Sequence, residues 1–311
     1  MGNRVSISAG RFGFFLIVLL FCTEPAMGSD QFVPAGDKAP DQEKRSCIQE
    51  VDGYAYLSEE KTLSQIRSAA FANAKRQAVE NARTFIRSKT QVENFELKSD
   101  KVTASTEGAV TVLEQKDFGI EDNQRYHVWI KAEVEYDLQP PGPDSETAEA
   151  GVLAGNHGPL TVRVWTSQKT YRQGEAIEIF LQGNRSFSAR IVDITAAGDI
   201  IQLLPNAYRS INRFEAGKVY KIPDEGDRFS LEVSPPYGVD QIVVYASEAP
   251  LGEVDMESVG QGLGKYRGSR ESFSIRTRGI TVSATGPSSA PGPAPAGAEF
   301  YEAVWNLETR P

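Results

Sequence analysis

Five acids, Asp193, Asp199, Asp224, Glu225 and Asp227, are numerous enough to suggest calcium, but their spacing fits no oxygen-ligand loop, so they read as turn residues. The run Gly260-Gln261-Gly262-Leu263-Gly264-Lys265 has the look of a phosphate loop. Val259, however, stands where the first glycine belongs and Tyr266 where Ser or Thr would hold magnesium, and the register fails. The two histidines, His127 and His157, have no neighbours in sequence that would make either a metal ligand or a general base. Cys47 has no nearby His or second Cys and reads as a small, half-buried residue at the start of a strand. No Ser/His/Asp, Cys/His or HExxH arrangement is present. No catalytic, cofactor-binding or metal-ligating residue is therefore assigned, and no cofactor is expected. Paired carboxylates need no histidine, so a carboxylate-dependent enzyme stays open as the alternative; it requires two carboxyl groups converging in a cleft.

The elements that would carry any such site are clearest in Arg190–Asn206. This stretch reads as two strands joined by a tight turn at Ala197-Gly198-Asp199, with Pro205 ending strand pairing. Ile191, Ile194, Ile200, Ile201, Leu203 and Leu204 would supply a core. LTVRVW from Leu160, AIEIFLQ, VYKIP, RFSLEVS, QIVVYAS and FSIRTR read as further short strands, and a β-sandwich over 160–284 buries them most readily. Leu251–Ser272 reads as a flexible insertion between strands.

The first half has a different pattern. Cys47–Leu57 alternates as a strand, and Thr62-Leu63-Ser64-Gln65 forms a capping box that opens a helix reaching about Ser88. Leu63, Ile66, Ala70, Ala74, Ala78 and Ala82 recur at three- and four-residue steps, a small-residue stripe that lets the helix lie close on a sheet. Strands are expected at Thr90–Leu97, Lys101–Ser105, Ala109–Gln115 and Tyr126–Tyr136. Alternation in the last puts Tyr126, Val128, Ile130, Ala132, Val134 and Tyr136 on one face and leaves His127 on an exposed one with Trp129, Lys131, Glu133 and Glu135.

Residues 1–28 read as a signal peptide: Arg4 and Arg11 precede the apolar Phe12–Cys22, which is too short to span a bilayer well, and Ala26-Met27-Gly28 offers small residues for cleavage after Gly28. Lipidation of Cys22 is the alternative, although Phe21 is bulky where such signals want Gly or Ala. The formal charge of -9 becomes about -10 once a leader with two arginines and Glu24, net +1, is removed. An acidic chain of this kind argues against nucleic acid or anionic lipid as its main partner. Segments 29–46, 139–159 and 285–298 are polar or rich in Pro and Gly and read as linkers around domains at 47–138 and 160–284. The terminal segment 299–311 carries Phe300, Tyr301, Val304, Trp305 and Leu307; it is expected to pair as a last strand, with this chain's own sandwich or with another protein.

Two resemblances extend this reading. The helix SAAFANAKRQAVENA, the following KTQVENFELKSDKVTASTEGAV and the closing YHVWIKAEVEY resemble the N-terminal domain of the flagellar H-ring protein FlgT and related small outer-membrane lipoproteins. KTYRQGEAIEI, ARIVDITAAGDIIQLLPN, Phe214-Glu215-Ala216-Gly217, Ile222-Pro223 and Pro235-Pro236-Tyr237-Gly238 with QIVVYASEAPL resemble the family called domain of unknown function 4384. The resemblances imply an envelope scaffold or a binding or assembly accessory, and neither supplies catalytic positions. The expected class is α+β: an N-terminal antiparallel sheet with one long helix, then a C-terminal β-sandwich. The expected protein is exported, periplasmic or extracellular, or a membrane-anchored lipoprotein if Cys22 is acylated. It is noncatalytic, with another envelope protein or a cell-surface polysaccharide as partner, and the alternative is a glycan-acting enzyme.

Overall fold

The computed structural model describes residues 41–90, 96–97, 110–121, 124–139, 158–260, 262–278 and 297–311. The expected leader, the strand at Lys101–Ser105, His157, and most of the three linkers lie outside the described residues. The described residues form sixteen strands: β1 (Gln42–Tyr56), β2 (Glu96–Leu97), β3 (Val110–Glu121), β4 (Arg125–Tyr136), β5 (Leu138–Gln139), β6 (Val162–Thr166), β7 (Thr170–Arg172), β8 (Ile179–Gly183), β9 (Phe187–Ile194), β10 (Ile200–Leu204), β11 (Arg213–Phe214), β12 (Tyr220–Ile222), β13 (Val239–Ser247), β14 (Glu257–Gly260), β15 (Leu263–Tyr266) and β16 (Glu299–Arg310). Helices α1 (Leu63–Thr90) and α2 (Arg270–Thr277) complete the α+β fold.

The helix α1 begins where its side chains can satisfy its first amides. Thr62 N–H donates to Gln65 Oε1 at 2.8 Å, and Gln65 N–H donates to Thr62 Oγ1 at 3.3 Å. Ala70, Ala74, Ala78 and Ala82 are each fully buried against β1 and β4. The approach is so close that a Cβ on Gly53 would stand 2.3 Å from the Ala70 carbonyl oxygen and 2.6 Å from the Ala74 Cβ. The expected inner face of β4 is buried from Tyr126 to Tyr136. Its outer face is not the solvated one expected, since Lys131 and Glu133 are also buried. Arg278, at the end of α2, covers Glu133 with its Nε 2.6 Å from Oε1, and Lys131 Nζ lies 3.4 Å from Glu50.

The main sheet runs β14-β15-β10-β9-β13-β16-β1-β4-β3, with β11 added to β9 and β7 added in parallel to β16. A three-stranded sheet, β12-β8-β6, and the short pair β2-β5 stand apart from it. The C-terminal strand is internal. β16 pairs antiparallel with β13 from Glu308↔Val239 to Phe300↔Ser247, and with β1 from Val304↔Gln42 to Glu299↔Cys47. It pairs in cis, and it joins strands from both halves of the sequence. Trp305, buried at its centre, reaches the small sheet through an Nε1–H bond to Thr166 Oγ1 at 2.8 Å, with Lys169 Nζ 3.4 Å from the ring centroid.

Four expectations need correction. FSIRTR is not a strand: Arg270–Thr277 is helical because Ser269 caps it, accepting from Ser272 N–H, and Phe273 packs on Tyr245 and Tyr266. RFSLEVS makes one isolated bridge, Ala176↔Glu232, and otherwise runs irregularly. Leu251–Ser272 contains the β14–β15 hairpin, which extends the main sheet. β1 begins at Gln42, so the last residues assigned to the tether are strand.

Substituting Trp305→Ala is expected to lower stability by about 3–5 kcal/mol, the range for emptying a large aromatic site. Because β16 couples both halves, urea unfolding followed by far-UV circular dichroism and by tryptophan emission should shift as one transition; two separated transitions would contradict the coupling.

Candidate functional site

A cleft of about 700 Å³ opens on one face of the main sheet. Its floor is built from Asp193 near the end of β9 and Thr195 just beyond it, Ile201 and Leu203 of β10, Asp240 and Ile242 of β13, and Thr309 of β16. The irregular segment 228–236 and Ile177 form its wall, and Tyr208, Val259 and Leu263 its rim. The period of two along β9 decides which side chains reach it. Val192 and Ile194 belong to the cluster under Phe273 of α2 on the opposite face, which leaves Asp193 facing the cleft.

Asp193 and Asp240 are the two acids of the floor, and their surroundings differ. Asp240 is held on both oxygens: the Ala196 N–H donates to Oδ1 at 2.7 Å and the Thr309 hydroxyl donates to Oδ2 at 3.2 Å. Asp193 Oδ1 is out of contact with solvent and accepts no hydrogen bond. Burial, reinforced by the negative charge of Asp240, pushes the Asp193 carboxyl up to about 7. Burial also raises Asp240, against the hydrogen bonds from Ala196 and Thr309.

The two other acids of the lining have partners. Asp199 lies 2.8 Å from Lys265 Nζ, and the Ser230 hydroxyl donates to Glu232 at 2.9 Å. The Tyr208 and Phe229 rings face each other at 6.2 Å and 19°. The segment below them is pinned by Arg209 Nη1, 3.1 Å from Asp224 and 2.8 Å from Asp227.

The acids expected in turns thus separate. Asp224 and Asp227 do close a turn, with the Asp224 N–H donating to Asp227 Oδ2 and the Gly226 N–H to Asp224 Oδ1, each at 2.8 Å. Asp199 caps the β9–β10 turn beside Gly198, whose φ of +84° is favourable for glycine. Asp193 is the exception, a strand residue. The signal that could have found it is a carboxylate inside the run Ile191-Val192-Asp193-Ile194, where apolar residues occupy both faces. Among the described residues, no three His, Cys, Asp or Glu side chains are grouped as metal ligands would be. The glycines 260 and 262 serve the β14–β15 hairpin, with φ of +90° and +76°. Cys47 is fully buried rather than half-buried, and burial pushes its thiol up to about 12, far from a reactive thiolate.

Residues 170–250 match the domain of unknown function DUF4384. Most of the cleft lining falls in this matched stretch; Val259, Leu263 and Thr309 come from beyond it. No curated protein and no solved structure matches the chain.

His127 is packed rather than solvated. Its ring lies 4.5 Å from Tyr54 on β1 and 4.5 Å from Phe118 on β3, with Nε2 at 2.7 Å from Asp52 and Nδ1 at 2.6 Å from Glu121. Burial disfavours its charged form, but the bonds to Asp52 and Glu121 outweigh that and raise its pKa. A raised histidine stabilises fully below the unfolded value near 6.5, and the contribution is lost as pH rises through the folded value. His127→Phe, which keeps the stack, should therefore be less stable than the parent in urea denaturation at pH 5. The gap should close by pH 9, and a gap independent of pH would exclude the ion pairs as its source.

For Asp193 the sign is opposite. An acid with a raised folded pKa costs nothing below its unfolded value, and its cost grows until pH passes about 7. Asp193→Asn should accordingly stabilise the protein by up to about 4 kcal/mol at pH 8 and leave it nearly unchanged at pH 4. Equal effects at both pH values in chemical denaturation would show that Asp193 ionises as freely as an exposed acid.

Proposed function

We propose that this chain is an exported, noncatalytic protein of the cell envelope, a binding or assembly accessory whose ligand-facing surface is the cleft over β9, β10 and β13. The observation that carries this reading is the inequality of the two floor acids. Asp240 accepts on both oxygens, from Ala196 and Thr309, whereas Asp193 Oδ1 accepts no hydrogen bond, so the two floor acids are not an equivalent pair. One carboxylate can orient a ligand; acid–base hydrolysis needs two that act together. The leader-like 1–28 segment supports export, with a periplasmic or extracellular destination, or a membrane anchor if Cys22 is acylated. The partner we propose is another envelope protein or a cell-surface polysaccharide.

The finer architecture belongs to the same proposal. Cys47–Leu138 would be a FlgT-like docking domain. In 160–284, the sheet β6-β8-β12 would serve as the second layer of a sandwich over the main sheet, the contact between β6 and Trp305 supporting that arrangement.

One observation favours a second reading. A cleft carboxyl raised to about 7 is what a general acid requires, so a glycan-acting enzyme with Asp193 as acid is the alternative.

Crosslinking and pull-down of the full-length protein from intact cells, with mass spectrometry of the partners and of the mature N-terminus, tests the proposal. The expected result is a defined envelope complex and a chain that starts at Ser29. A protein recovered alone that releases reducing ends from cell-wall glycan, an activity lost in Asp193→Asn, would overturn it in favour of the enzyme.

A further inference from the structure

The cleft has more definite chemistry than a general binding surface. Its lining carries four carboxylates, Asp193, Asp199, Asp240 and Glu232, against one cation, Arg228. Lys265 answers Asp199 from outside, and Ala196 and Thr309 answer Asp240, but among the described residues no donor answers Asp193 Oδ1. A buried acceptor left without a donor is costly, and a cation brought against the part of the Asp193 carboxylate that lines the cleft lowers that cost. Beside Asp193 the surface is apolar: Ile177, Ile201, Leu203 and Ile242 line the same space, and Tyr208 and Phe229 stand at its edge. At about 700 Å³ the cleft has room for much more than one charged group. An anionic floor with apolar walls fits a cationic head on an aliphatic stem. With no trio of protein ligands grouped among the described residues, an organic cation suits it better than a metal ion.

We infer that the cleft between β9–β10–β13 and the 228–236 segment binds a primary alkylammonium group, with Asp193 as its counter-ion and the isoleucine and leucine side chains against its stem. The inference rests on the reading of the chain as a binding accessory and names the chemistry of its ligand. Two sources share that chemistry: a lysine side chain presented by a protein partner, and a free aliphatic diamine.

The raised Asp193 carboxyl gives the inference a second readout. In the empty cleft it is about half protonated at pH 7, facing Asp240 across the floor, Asp199 with Lys265 at the rim, and Glu232 and Arg228 on the wall. An ammonium ion favours the ionised form, so binding near pH 7 should expel roughly half a proton and binding at pH 9 almost none.

The test is calorimetric titration of the full-length protein with acetyl-lysine-methylamide blocked at the α-amine, with 1,5-diaminopentane, and with the Nζ-acetylated form of the first as a neutral control. Each is run at pH 7 and pH 9, in two buffers of different ionisation enthalpy. Binding of either amine is expected, the stronger one indicating the source, with at least tenfold loss in Asp193→Asn and a buffer-dependent heat at pH 7 alone. The proton count comes from the unsubstituted protein and does not depend on how the variant folds. No binding at 10 mM, equal binding by the acetylated control, or binding unchanged in Asp193→Asn would overturn the inference. Such a failure leaves the accessory reading to the partner experiment, which does not depend on the cleft.

Discussion

The fold depends on the pairing of β16 with two strands that lie far from it in sequence and from each other. β1 begins at Gln42 and β13 ends at Ser247, yet both bond to Glu299–Arg310. Without that strand each would present a row of unpaired amides and carbonyls, an edge of the kind that invites aggregation. Pairing across such sequence separation carries a loop-closure cost, which grows only slowly with length. The side chains of β16 offset it: Phe300, Tyr301, Ala303, Val304, Trp305 and Leu307 are all buried.

Polar contacts then choose the register. Glu299 opens β16 and is almost wholly buried, yet Lys89 of α1 donates to it at 2.7 Å, Arg185 at 3.5 Å, the Leu160 N–H at 3.3 Å and the Tyr136 hydroxyl at 3.4 Å. Four donors from four separate segments converge on one carboxylate. A slide of β16 by one residue would carry Glu299 to the other face and strand those donors, so the network discriminates between registers more than it adds net stability. Glu133 repeats the device across the sheet, between Arg278 at 2.6 Å and the Ser46 hydroxyl at 2.5 Å.

What could be read from sequence was local. The capping box at Thr62, the alanine stripe of α1, the inner face of β4 and the turn at Gly198 are each set by residues within a few positions of one another, and each is present. What could not be read was set at a distance. FSIRTR has enough alternation to pass for a strand, and it is helical because Ser269 caps it and because Phe273 finds Tyr245 and Tyr266, which belong to other elements. The burial of Glu133 and Lys131 follows from the arrival of Arg278 and from the neighbouring Glu50, neither visible in the pattern of β4 itself. Asp193 lies close to a turn and inside an apolar run, but the cleft it faces is assembled from β10, β13, β16 and an irregular segment, all remote from it in local pattern.

The cleft and the central strand are the same construction seen from two sides. Thr309, near the end of β16, bonds Asp240 Oδ2, and Asp240 Oδ1 holds the Ala196 amide at the turn after β9. The C-terminal strand therefore helps fix the acid that neighbours Asp193, through the Thr309 hydroxyl. The hydrogen bonds from Ala196 and Thr309 favour the ionised form of Asp240, and the negative charge of Asp240 adds to burial in pushing the Asp193 carboxyl up. The two acids of the floor therefore stand in unequal surroundings, Asp240 with a donor on each oxygen and Asp193 with Oδ1 buried and without one, and it is at Asp193 that an incoming cation has most to offset.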